Sequence, residues 1–527
     1  MTHDAIVVGG GVNGLVTATY LARAGRRVLV CERRSSLGGL AVTEEFHPGY
    51  RANTCVDDAG WVPTHVVNDL GLAQLGYAPT LAPVGITIPL DGVAPLVLPT
   101  NIARAVDVLR RVSPADASRW PHFCDLVARL AGVLESLYLV RSPDVHSTSP
   151  ADLMTMLSLG RRLRGLGKRG IIDLLRTIPM PMSDLLDEWF EHEGLKAALA
   201  YHSVLNVQHG PFSGGTALVF LHRHVGLPVG HIGGRRVSAG GVGRLAMALT
   251  AAAKLVGVEL RTDAEVAEIT AGNQRATGVR LTSGESLGAA IVVSSADPRR
   301  TFGTLVDPGY FDPDMLTAVD NVRMRGPATR VHFALSGLPS FASNGSAWSR
   351  DALRGGIVFS KSMQDVERAY DAAKYSGFSE SPAILATLPS IDDTSLAPEG
   401  HHVLTAQVQY AACRARDGWT EARRNALGDA VVRAISNVAP DFAGLVGHRA
   451  ILAPPDLESR FGVTEGSLLH GELALDQFLF MRPVPACARY QTPLPGLWLC
   501  GSGTHPGAGT AGASGALAAK EILSVRR

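Results

Sequence analysis

The first residues contain a short apolar run that leads directly into a glycine-rich turn. Ala5–Val8 is followed by Gly9, Gly11 and Gly14 in the spacing Gly-x-Gly-x-x-Gly. In this spacing the first glycine allows a tight exit from a strand, and the second lets the backbone approach a pyrophosphate. The third lets the next helix pack against the strand. That helix is expected to open near Asn13 and to direct its free N–H groups and positive end at the phosphates. The segment therefore predicts a nucleotide-binding βαβ unit.

An acidic residue ends the next strand, where nucleotide-binding units hold a ribose. The helix is expected to end at Gly25, and Arg27–Cys31 is predicted to be the second strand, followed at once by Glu32. The distance from the last glycine of the turn is close to the ~20 residues expected for an acid that binds ribose hydroxyls. Glu32 favours a free 2′-hydroxyl, and hence FAD or NAD over NADP. Arg33 and Arg34 follow directly, so this position alone leaves NADP open.

A second glycine-rich turn occurs near the other end of the chain. An apolar strand, Gly496–Cys500, precedes Gly501–Gly509, and a helix of small residues is predicted over Ala511–Leu523. The positive end of that helix would face a flavin pyrimidine, which becomes anionic on two-electron reduction. The two turns together indicate a flavin domain that is split along the chain and closed by its C-terminal segment.

Bulk composition argues against several protein classes. A formal net charge of +1 over 527 residues gives no indication of a nucleic-acid partner. No uncharged apolar run reaches the ~18 residues of a spanning helix, and the early first strand leaves no room for a signal or transit peptide, so we expect a cytoplasmic protein. The six cysteines show no CxxC or metal-ligand spacing, which predicts reduced thiols and no metal site.

The alternation of strands and helices is interrupted along the chain. Helical patterns dominate 76–224, α/β patterns return over 225–300, and 301–479 is mixed. Helices within the first of these segments are predicted over 101–112, 120–139, 150–159, 171–178, 183–192 and 195–205. We predict an α/β fold with a discontinuous Rossmann-like FAD-binding domain and a mixed α+β substrate-binding domain. The first domain comprises 1–75, 225–300 and 480–527, and the second comprises 76–224 and 301–479.

Further motifs follow in order along nearly the whole chain: Val7–Gly14, Glu32–Arg34, Gly38-Gly39, Ala41–Glu45, Pro48–Tyr50, Leu185–Phe190, Gly240–Gly243, Ala296–Pro298, His470–Leu473, Leu475–Gln477, Arg482-Pro483, Tyr490–Pro493 and Gly496–Gly509. With these motifs the chain resembles the phytoene desaturase branch of the flavin amine oxidase superfamily. Within that branch it is similar to the group named after pyridine nucleotide-disulfide oxidoreductase domain-containing protein 2. The resemblance implies an FAD-binding Rossmann-like domain, a substrate domain and non-covalent FAD. The scattered cysteines do not support the disulfide relay that the group's name suggests.

The residues predicted to bind FAD come from the two turns, the ribose acid and the loop that follows it. A glycine pair, Gly38 and Gly39, would let that loop press against the cofactor. Val266 would meet the adenine through its backbone, or it is an ordinary strand residue of a βαβ unit. The full set is Gly9, Gly11, Val12, Asn13, Gly14, Glu32, Arg33, Gly38, Gly39, Leu40, Val266, Gly501, Gly503, Thr510 and Ala511.

Three residues are candidates for proton transfer near the flavin ring. His505 follows the C-terminal turn, and His470 and Glu472 flank Gly471. A histidine and a glutamate can exchange protons near neutral pH. Each candidate also has a structural interpretation: His505 as a histidine bonded to the backbone at a helix start, and His470 with Glu472 as a hydrogen-bonded pair.

Flavin chemistry here is expected to be dehydrogenation of an apolar, isoprenoid- or polyene-like substrate by hydride transfer. The alternatives are a flavin amine oxidase, a redox-neutral double-bond isomerase, and a flavin-stabilised interaction protein with little turnover. A basic run at Arg161–Arg164 and Lys168-Arg169 is either a solvated loop or a site of peripheral contact with the inner face of an anionic membrane. The sequence does not predict an oligomeric state.

Overall fold

The computed structural model describes residues 3–142, 150–343 and 345–525. The described helices are α1 (Val12–Arg23), α2 (Thr64–Asp69), α3 (Ile102–Arg110), α4 (Pro114–Tyr138), α5 (Pro150–Gly165), α6 (Gly167–Thr177), α7 (Met182–Trp189), α8 (Glu193–Val204), α9 (Thr216–Arg223), α10 (Gly243–Leu255), α11 (Pro298–Arg300), α12 (Pro313–Asp320), α13 (Met363–Lys374), α14 (Glu421–Ser436), α15 (Phe442–Leu445), α16 (Pro454–Phe461) and α17 (Ala513–Ser524). The strands are β1 (Ala5–Val8), β2 (Val28–Cys31), β3 (Thr43–His47), β4 (Tyr50–Asn53), β5 (Thr80–Leu81), β6 (Val84–Leu90), β7 (Val93–Pro99), β8 (Arg236–Val237), β9 (Glu259–Arg261), β10 (Val266–Gly272), β11 (Arg275–Leu281), β12 (Ser286–Gly288), β13 (Ile291–Ser294), β14 (Thr329–Leu335), β15 (Ala342–Ser343), β16 (Ser346–Ala347), β17 (Gly356–Val358), β18 (Ala383–Thr387), β19 (His402–Gln409), β20 (Val446–Leu452) and β21 (Leu497–Leu499).

A five-stranded parallel sheet has the order β21-β13-β1-β2-β9. Its central strand, β1, is fully buried because helices cover one face and a second layer covers the other. Ala5 and Val7 pack with α1 and α17, whereas Ile6 and Val8 pack towards the three-stranded sheet β10-β11-β12. The α/β fold class predicted from the sequence is confirmed.

The C-terminal segment completes this sheet and packs on its first helix. Strand β21 pairs with β13, and α17 lies against α1. The two helices approach so closely that a Cβ atom on Gly515 would lie 2.3 Å from the carbonyl oxygen of Asn13. Thr17 donates from Oγ1 to the carbonyl oxygen of Gly515 at 3.0 Å. The two ends of the chain therefore form one packed unit.

A seven-stranded mixed sheet with the order β20-β14-β19-β18-β17-β6-β7 forms the second large layer. Its middle strands β14 and β18 are buried at every position, with α14 in the core of one face and α4 and α7–α9 in the core of the other. The helical interpretation of 76–224 was wrong for the hairpin β6–β7, which joins this sheet. Its turn, Asp91-Gly92, is a two-residue hairpin signal, and Gly92 has φ +67°.

Other elements differ from the predictions in their bounds. Helix α4 begins at Pro114 rather than Trp120, because Ser113 caps it by accepting a hydrogen bond from Asp116 N at 3.2 Å. The basic run is helical, not a loop, since α5 continues to Gly165 and α6 follows. Helix α9 was not predicted. The exact domain boundaries stay a prediction.

Candidate functional site

A cleft opens at the carboxyl ends of the parallel strands. The residues that follow β1, β2, β13 and β21 line it, and its empty volume is about 1470 Å³ including the solvent at its mouth. In open α/β sheets, ligands bind in this position.

The first glycine-rich turn leaves room for a phosphate at the mouth of α1. Gly9 has φ +95°, a conformation that favours glycine. A Cβ atom on Gly11 would have the Cα atom of Gly39, 3.9 Å away, as its one neighbour within 4 Å. Helix α1 has no side-chain cap, and the N–H groups of its first turn lack intrahelical acceptors. This arrangement can bind an anion through backbone N–H groups.

Glu32 is held rigidly at the end of β2. It is buried, and its Oε2 accepts a hydrogen bond from Gly10 N at 2.7 Å while its Oε1 accepts one from Arg34 N at 2.9 Å. A carboxylate has about four acceptor positions, so it retains capacity for two further donors. Since Glu32 lines the cleft, ribose hydroxyls are suitable donors.

Asn13 connects the two glycine-rich turns. Its Oδ1 accepts a hydrogen bond from Gly512 N at 3.1 Å, and its Nδ2 donates to Ser502 Oγ at 3.1 Å. The side chain borders the cleft, but its amide is used within the protein. A residue expected to contact the cofactor therefore also positions the C-terminal wall of the cleft.

Most of the residues predicted to bind the cofactor line the cleft: Gly9, Gly11, Val12, Asn13, Glu32, Arg33, Gly38, Gly39, Leu40, Val266, Gly501, Thr510 and Ala511. Gly14 and Gly503 do not. A Cβ atom on Gly14 would lie 2.2 Å from the carbonyl oxygen of Gly9, and one on Gly503 would lie 2.4 Å from Cδ of Pro298. Both glycines allow close packing behind the cleft, and direct contact with a cofactor stays a prediction for the whole set.

A second cavity, here called the inner cavity, adjoins the cleft. Its empty volume is about 1080 Å³, again including open solvent. It lies among α8, α9, the segment 226–236 and the seven-stranded sheet. The residues that border both the cleft and the inner cavity are Val56, Asp58, Asn206, Arg223, Leu469, Ala508 and Gly509.

Comparison with known proteins identifies the family. The sequence model of the family described as "Flavin containing amine oxidoreductase" matches residues 13–523. The chain belongs to this family. It is 32% identical to pyridine nucleotide-disulfide oxidoreductase domain-containing protein 2 of Rattus norvegicus, over 99% of this chain and 93% of the relative. This flavin oxidoreductase is also 26% identical to a subunit of limonene dehydrogenase from Castellaniella defragrans (98% and 94% covered) and 27% identical to hydroxyneurosporene desaturase of Cereibacter sphaeroides (98% and 97% covered).

Solved structures show the same fold. An oxidoreductase from Methanosarcina mazei superposes with a TM-score of 0.58 at 15% identity, covering 99% of this chain and 100% of the other. Cyclohexylamine oxidase from Brevibacterium oxydans gives a TM-score of 0.58 at 14% identity, with 99% and 98% covered. At these identities the likeness supports the fold.

The cofactor of this flavin oxidoreductase is FAD, and the cleft fits it. The uncapped start of α1 suits the pyrophosphate, and Glu32 suits the ribose of the adenosine. The remaining part of the cleft, which adjoins the inner cavity, is left for the flavin ring. All six cysteines are free thiols, and Cys500 is fully buried outside the cleft lining.

His470 and Glu472 do not form a pair. His470 lines the cleft, and its Nδ1 has no hydrogen-bond partner among the described residues. Glu472 lies outside both cavity linings and accepts hydrogen bonds from Arg323 Nε and Gln208 N, each at 2.8 Å. Burial acts to raise the pKa of Glu472, but these partners and His209 lower it below its usual value. A catalytic role for either residue stays a prediction, and of the two His470 alone faces the cleft.

His505 contacts the backbone, as its structural interpretation expected, but it does not lie at a helix start, since α17 begins at Ala513. It is fully buried, and its Nε2 lies 3.2 Å from the carbonyl oxygens of Leu137 and Val140, to which it can donate. Burial lowers its pKa to about 4, so the ring is neutral at pH 7. His505 lies outside both cavity linings, and its catalytic assignment stays a prediction.

The sequence reasoning missed three polar residues of the inner cavity. Asn206 and Arg223 lie where the cleft and the inner cavity meet, and His202 lines the inner cavity. His202 is buried, and its Nε2 has no hydrogen-bond partner among the described residues. One signal was available, because Arg223 ends a helix, α9, that is otherwise apolar over Ala217–Leu221. In the part of the chain that the structure describes, no group of three or more His, Cys, Asp or Glu residues is arranged to hold a metal ion.

Proposed function

We propose that this FAD oxidoreductase dehydrogenates an isoprenoid- or polyene-like chain bound in the inner cavity. The observation that carries the proposal is the continuity of the inner cavity with the part of the cleft left for the flavin ring. A substrate in the inner cavity would therefore have direct access to the ring. Held by the start of α1 and by Glu32, FAD would supply the two-electron acceptor for a hydride from one carbon, and the proton lost from the neighbouring carbon as the double bond forms would pass to water.

Apolar side chains provide the wall for such a chain. The large aliphatic side chains that line the inner cavity are those of Val56, Leu205, Val219, Leu227, Leu385, Leu469 and Leu473. The proposal is further supported by the names of two relatives, one a component of limonene dehydrogenase and the other a hydroxyneurosporene desaturase.

The lining also disfavours oxidation of a protonated amine. Among the described residues that line the inner cavity there is no Phe, Tyr or Trp, the rings that stabilise a bound ammonium group. Arg223, Arg235, Arg236 and Arg482 line it, against the carboxylates Asp57 and Asp58. An ammonium ion would therefore meet an excess of like charge.

The test is anaerobic mixing of the purified FAD-loaded protein with isoprenoid hydrocarbons, isoprenoid acids and alkylamines. Dehydrogenation predicts loss of the oxidised flavin absorbance and a product that has lost two hydrogens. Bleaching by amines alone would replace the proposal with C–N oxidation, and a product of unchanged mass would indicate isomerisation. A flavin that no compound reduces would favour an interaction protein with little turnover.

We further propose that helices α5 and α6 contact an anionic membrane surface. Arg161, Arg162, Arg164, Lys168 and Arg169 are exposed on these helices. Large apolar side chains are exposed beside them, namely Leu153, Met154, Met156, Leu157, Ile172 and Leu175. Such a combination binds the interface of a bilayer that contains anionic lipid. None of the described helices is long and apolar enough to cross a membrane.

Vesicle co-sedimentation tests this contact. The protein should sediment with phosphatidylserine-containing vesicles and not with pure phosphatidylcholine vesicles. Changing Arg161, Arg162 and Arg164 together to Glu should abolish sedimentation. The matched control changes three exposed arginines around α3, Arg104, Arg110 and Arg111, to Glu. Equal loss of binding in both triple variants would show a non-specific charge effect and would overturn the proposal.

A further inference from the structure

The acidic residues of the inner cavity are already paired. Asp57 accepts two hydrogen bonds from Arg330, with N–O distances of 2.7 and 3.0 Å. Asp58 accepts from Arg236 N at 2.9 Å and from Gly60 N at 2.8 Å, and Nη1 of Arg236 lies 3.6 Å from its Oδ2. Among the described residues, neither carboxylate forms a hydrogen bond or ion pair with another arginine of the cavity, so the remaining cations have no directly paired carboxylate.

Of these cations, Arg223 most clearly lacks a partner within the protein. Within residues 3–142, 150–343 and 345–525, its guanidinium has no hydrogen-bond or ion-pair partner. It nevertheless lines both the inner cavity and the adjoining part of the cleft. Burial lowers its pKa, and the Asp58 carboxylate offsets part of that shift. A guanidinium stays charged at physiological pH even so.

Two other residues that line the inner cavity carry buried nitrogen atoms without a hydrogen-bond partner among the described residues. Arg235 donates from Nη2 to the carbonyl oxygen of Arg354 at 2.9 Å, but its buried Nε has no partner among the described residues. His202 has an unpartnered Nε2 in the same described part of the chain. Arg223 and Arg235 both act to lower the pKa of His202, after burial itself, which shows that the three groups lie within electrostatic range of one another.

An unpaired charge that is partly removed from water is unfavourable, because the cavity wall does not replace the lost hydration. Arg223 ends α9, where the helix dipole compensates only a small part of the charge. A ligand that brings negative charge would supply the missing counter-ion. The planar fork of a guanidinium matches both carboxylate and phosphate oxygens.

We propose that the inner cavity binds the anionic end of the substrate, a carboxylate or a phosphate, against Arg223. Arg235 and His202 are its neighbouring donors, and the leucine-rich wall holds the apolar chain. The proposal rests on the proposed function in taking the inner cavity as the substrate site. It narrows the substrate class from an apolar hydrocarbon to an isoprenoid- or polyene-like chain with one anionic end.

The competing role for Arg223 is stabilisation of the reduced flavin, which carries negative charge, since Arg223 also borders the cleft. The two roles predict different measurements. An anion-binding arginine changes the affinity for charged ligands and leaves the affinity for uncharged ones unaltered. If Arg223 instead stabilises the reduced flavin, its substitution should change the reduction potential of the flavin and should alter the affinities for charged and uncharged ligands equally.

The experiment is a titration of the FAD-loaded protein with laurate, dodecyl phosphate and dodecanol, followed by the flavin absorption spectrum without turnover. At least one of the two anions should bind about tenfold or more tightly than dodecanol, and their ranking identifies carboxylate or phosphate as the preferred group. Arg223→Gln should remove this preference, and Arg223→Lys should retain part of it. Arg110→Gln, at an exposed position on α3, is the matched control.

Equal binding of anion and alcohol, or no binding of either, would overturn the proposal, as would an unchanged preference in Arg223→Gln. A lowered reduction potential with an unchanged preference would assign Arg223 to the flavin instead. If Arg223→Gln fails to retain FAD, Arg235→Gln should reduce the same preference, and no reduction there would also count against the proposal. Bleaching by uncharged isoprenoids with no preference for anions would overturn this inference alone. Selective anion binding without any dehydrogenated product would overturn the proposed function alone.

Discussion

Arg330 and Arg223 differ in what surrounds their guanidinium groups. Arg330, on β14, is fully buried and pairs with Asp57, with Gln407 Oε1 at 3.2 Å and the carbonyl oxygen of Asn53 at 3.3 Å as further acceptors. Arg223 borders open space and has no such partner in the described ranges. The charge of the first arginine is paired within the fold, although its buried Nε has no hydrogen-bond partner among the described residues, and the charge of the second is left for a ligand. The region around Arg330 should therefore govern stability, and the region around Arg223 should govern binding.

Three buried histidines also contribute to stability, because the folded protein holds their rings in the neutral form. His222 contacts Tyr138 Oη at 2.7 Å and Ala508 O at 2.6 Å, and His224 contacts Phe220 O at 2.7 Å. His505 contacts two carbonyl groups. Burial lowers the pKa of each to about 4 from 6.5.

Among the tests of this comparison, lowering the pH should therefore cause the largest change in the free energy of unfolding. Because the folded state binds the neutral rings, this stability is present above the unfolded pKa and is lost as pH falls from 6.5 towards 4. Between about pH 7 and about pH 5, each histidine should reduce the free energy of unfolding by about 2 kcal/mol, or about 6 kcal/mol together. Urea denaturation of the FAD-loaded protein measures it. His505→Gln should reduce the dependence by about 2 kcal/mol, whereas the buried His202 and His332, whose pKa values are also lowered, continue to contribute to it. An unchanged dependence in that variant would contradict the assignment.

Arg330→Met tests the paired side directly. The change leaves the buried Asp57 carboxylate without its counter-ion, which should lower the free energy of unfolding by about 3–5 kcal/mol. Burial acts to raise the pKa of Asp57 and Arg330 lowers it below the usual value, so in the variant that pKa should rise. The double variant Arg330→Met with Asp57→Asn should recover part of the loss in denaturation experiments. A loss below about 1 kcal/mol in the single variant would mean that the pair is solvated.

Glu32→Ala tests the cleft, where backbone N–H groups of the protein satisfy only part of the Glu32 carboxylate. The variant removes the carboxylate that we assign to the ribose and the acceptor for Gly10 N and Arg34 N. Loss of hydrogen bonds to a charged group is worth about 1.5–3 kcal/mol, so the dissociation constant of FAD should rise about 10- to 100-fold. Flavin absorbance retained after dialysis measures this, with exposed Glu45→Ala as the control. A variant as yellow as the parent would show that Glu32 does not bind the ribose.

The cleft could be predicted from sequence because its determinants are local. Gly9, Gly11 and Glu32 lie within one strand–helix–strand unit, and glycine spacing constrains that unit regardless of what packs around it. Gly14 and Gly503 show the limit of this argument, since the same glycine spacing also meets packing requirements behind the cleft.

The inner cavity could not be predicted in the same way. Its polar residues come from 57–58, 202–206, 222–224, 235–236, β19 and 482, and only the tertiary fold brings them together. His202 lies in a helix that is buried all round, so the pattern of that helix indicates core rather than a site. Glu472 shows that closeness in sequence can mislead. Its position two residues from His470 suggested a hydrogen-bonded pair, but in the fold Glu472 accepts hydrogen bonds from Arg323 and Gln208. Charge balance across a cavity is a property of contacts, and sequence spacing does not encode it.

Arg223→Gln should have the smallest effect on stability, and of opposite sign to Arg330→Met. Removing a cation that has no counter-ion relieves its desolvation, whereas the glutamine remains polar enough for the cavity wall. We expect the ligand-free, FAD-loaded variant to gain about 1 kcal/mol or less, which for a chain of this size corresponds to a rise in Tm of about 1 °C or less. Calorimetry of Arg223→Gln and Arg330→Met side by side measures the contrast. A drop in Tm for Arg223→Gln comparable to that of Arg330→Met would mean that the fold, and not a ligand, satisfies Arg223. Selection for binding can retain a group that destabilises the ligand-free protein. A gain in stability together with a loss of anion affinity in Arg223→Gln would therefore distinguish Arg223 from Arg330.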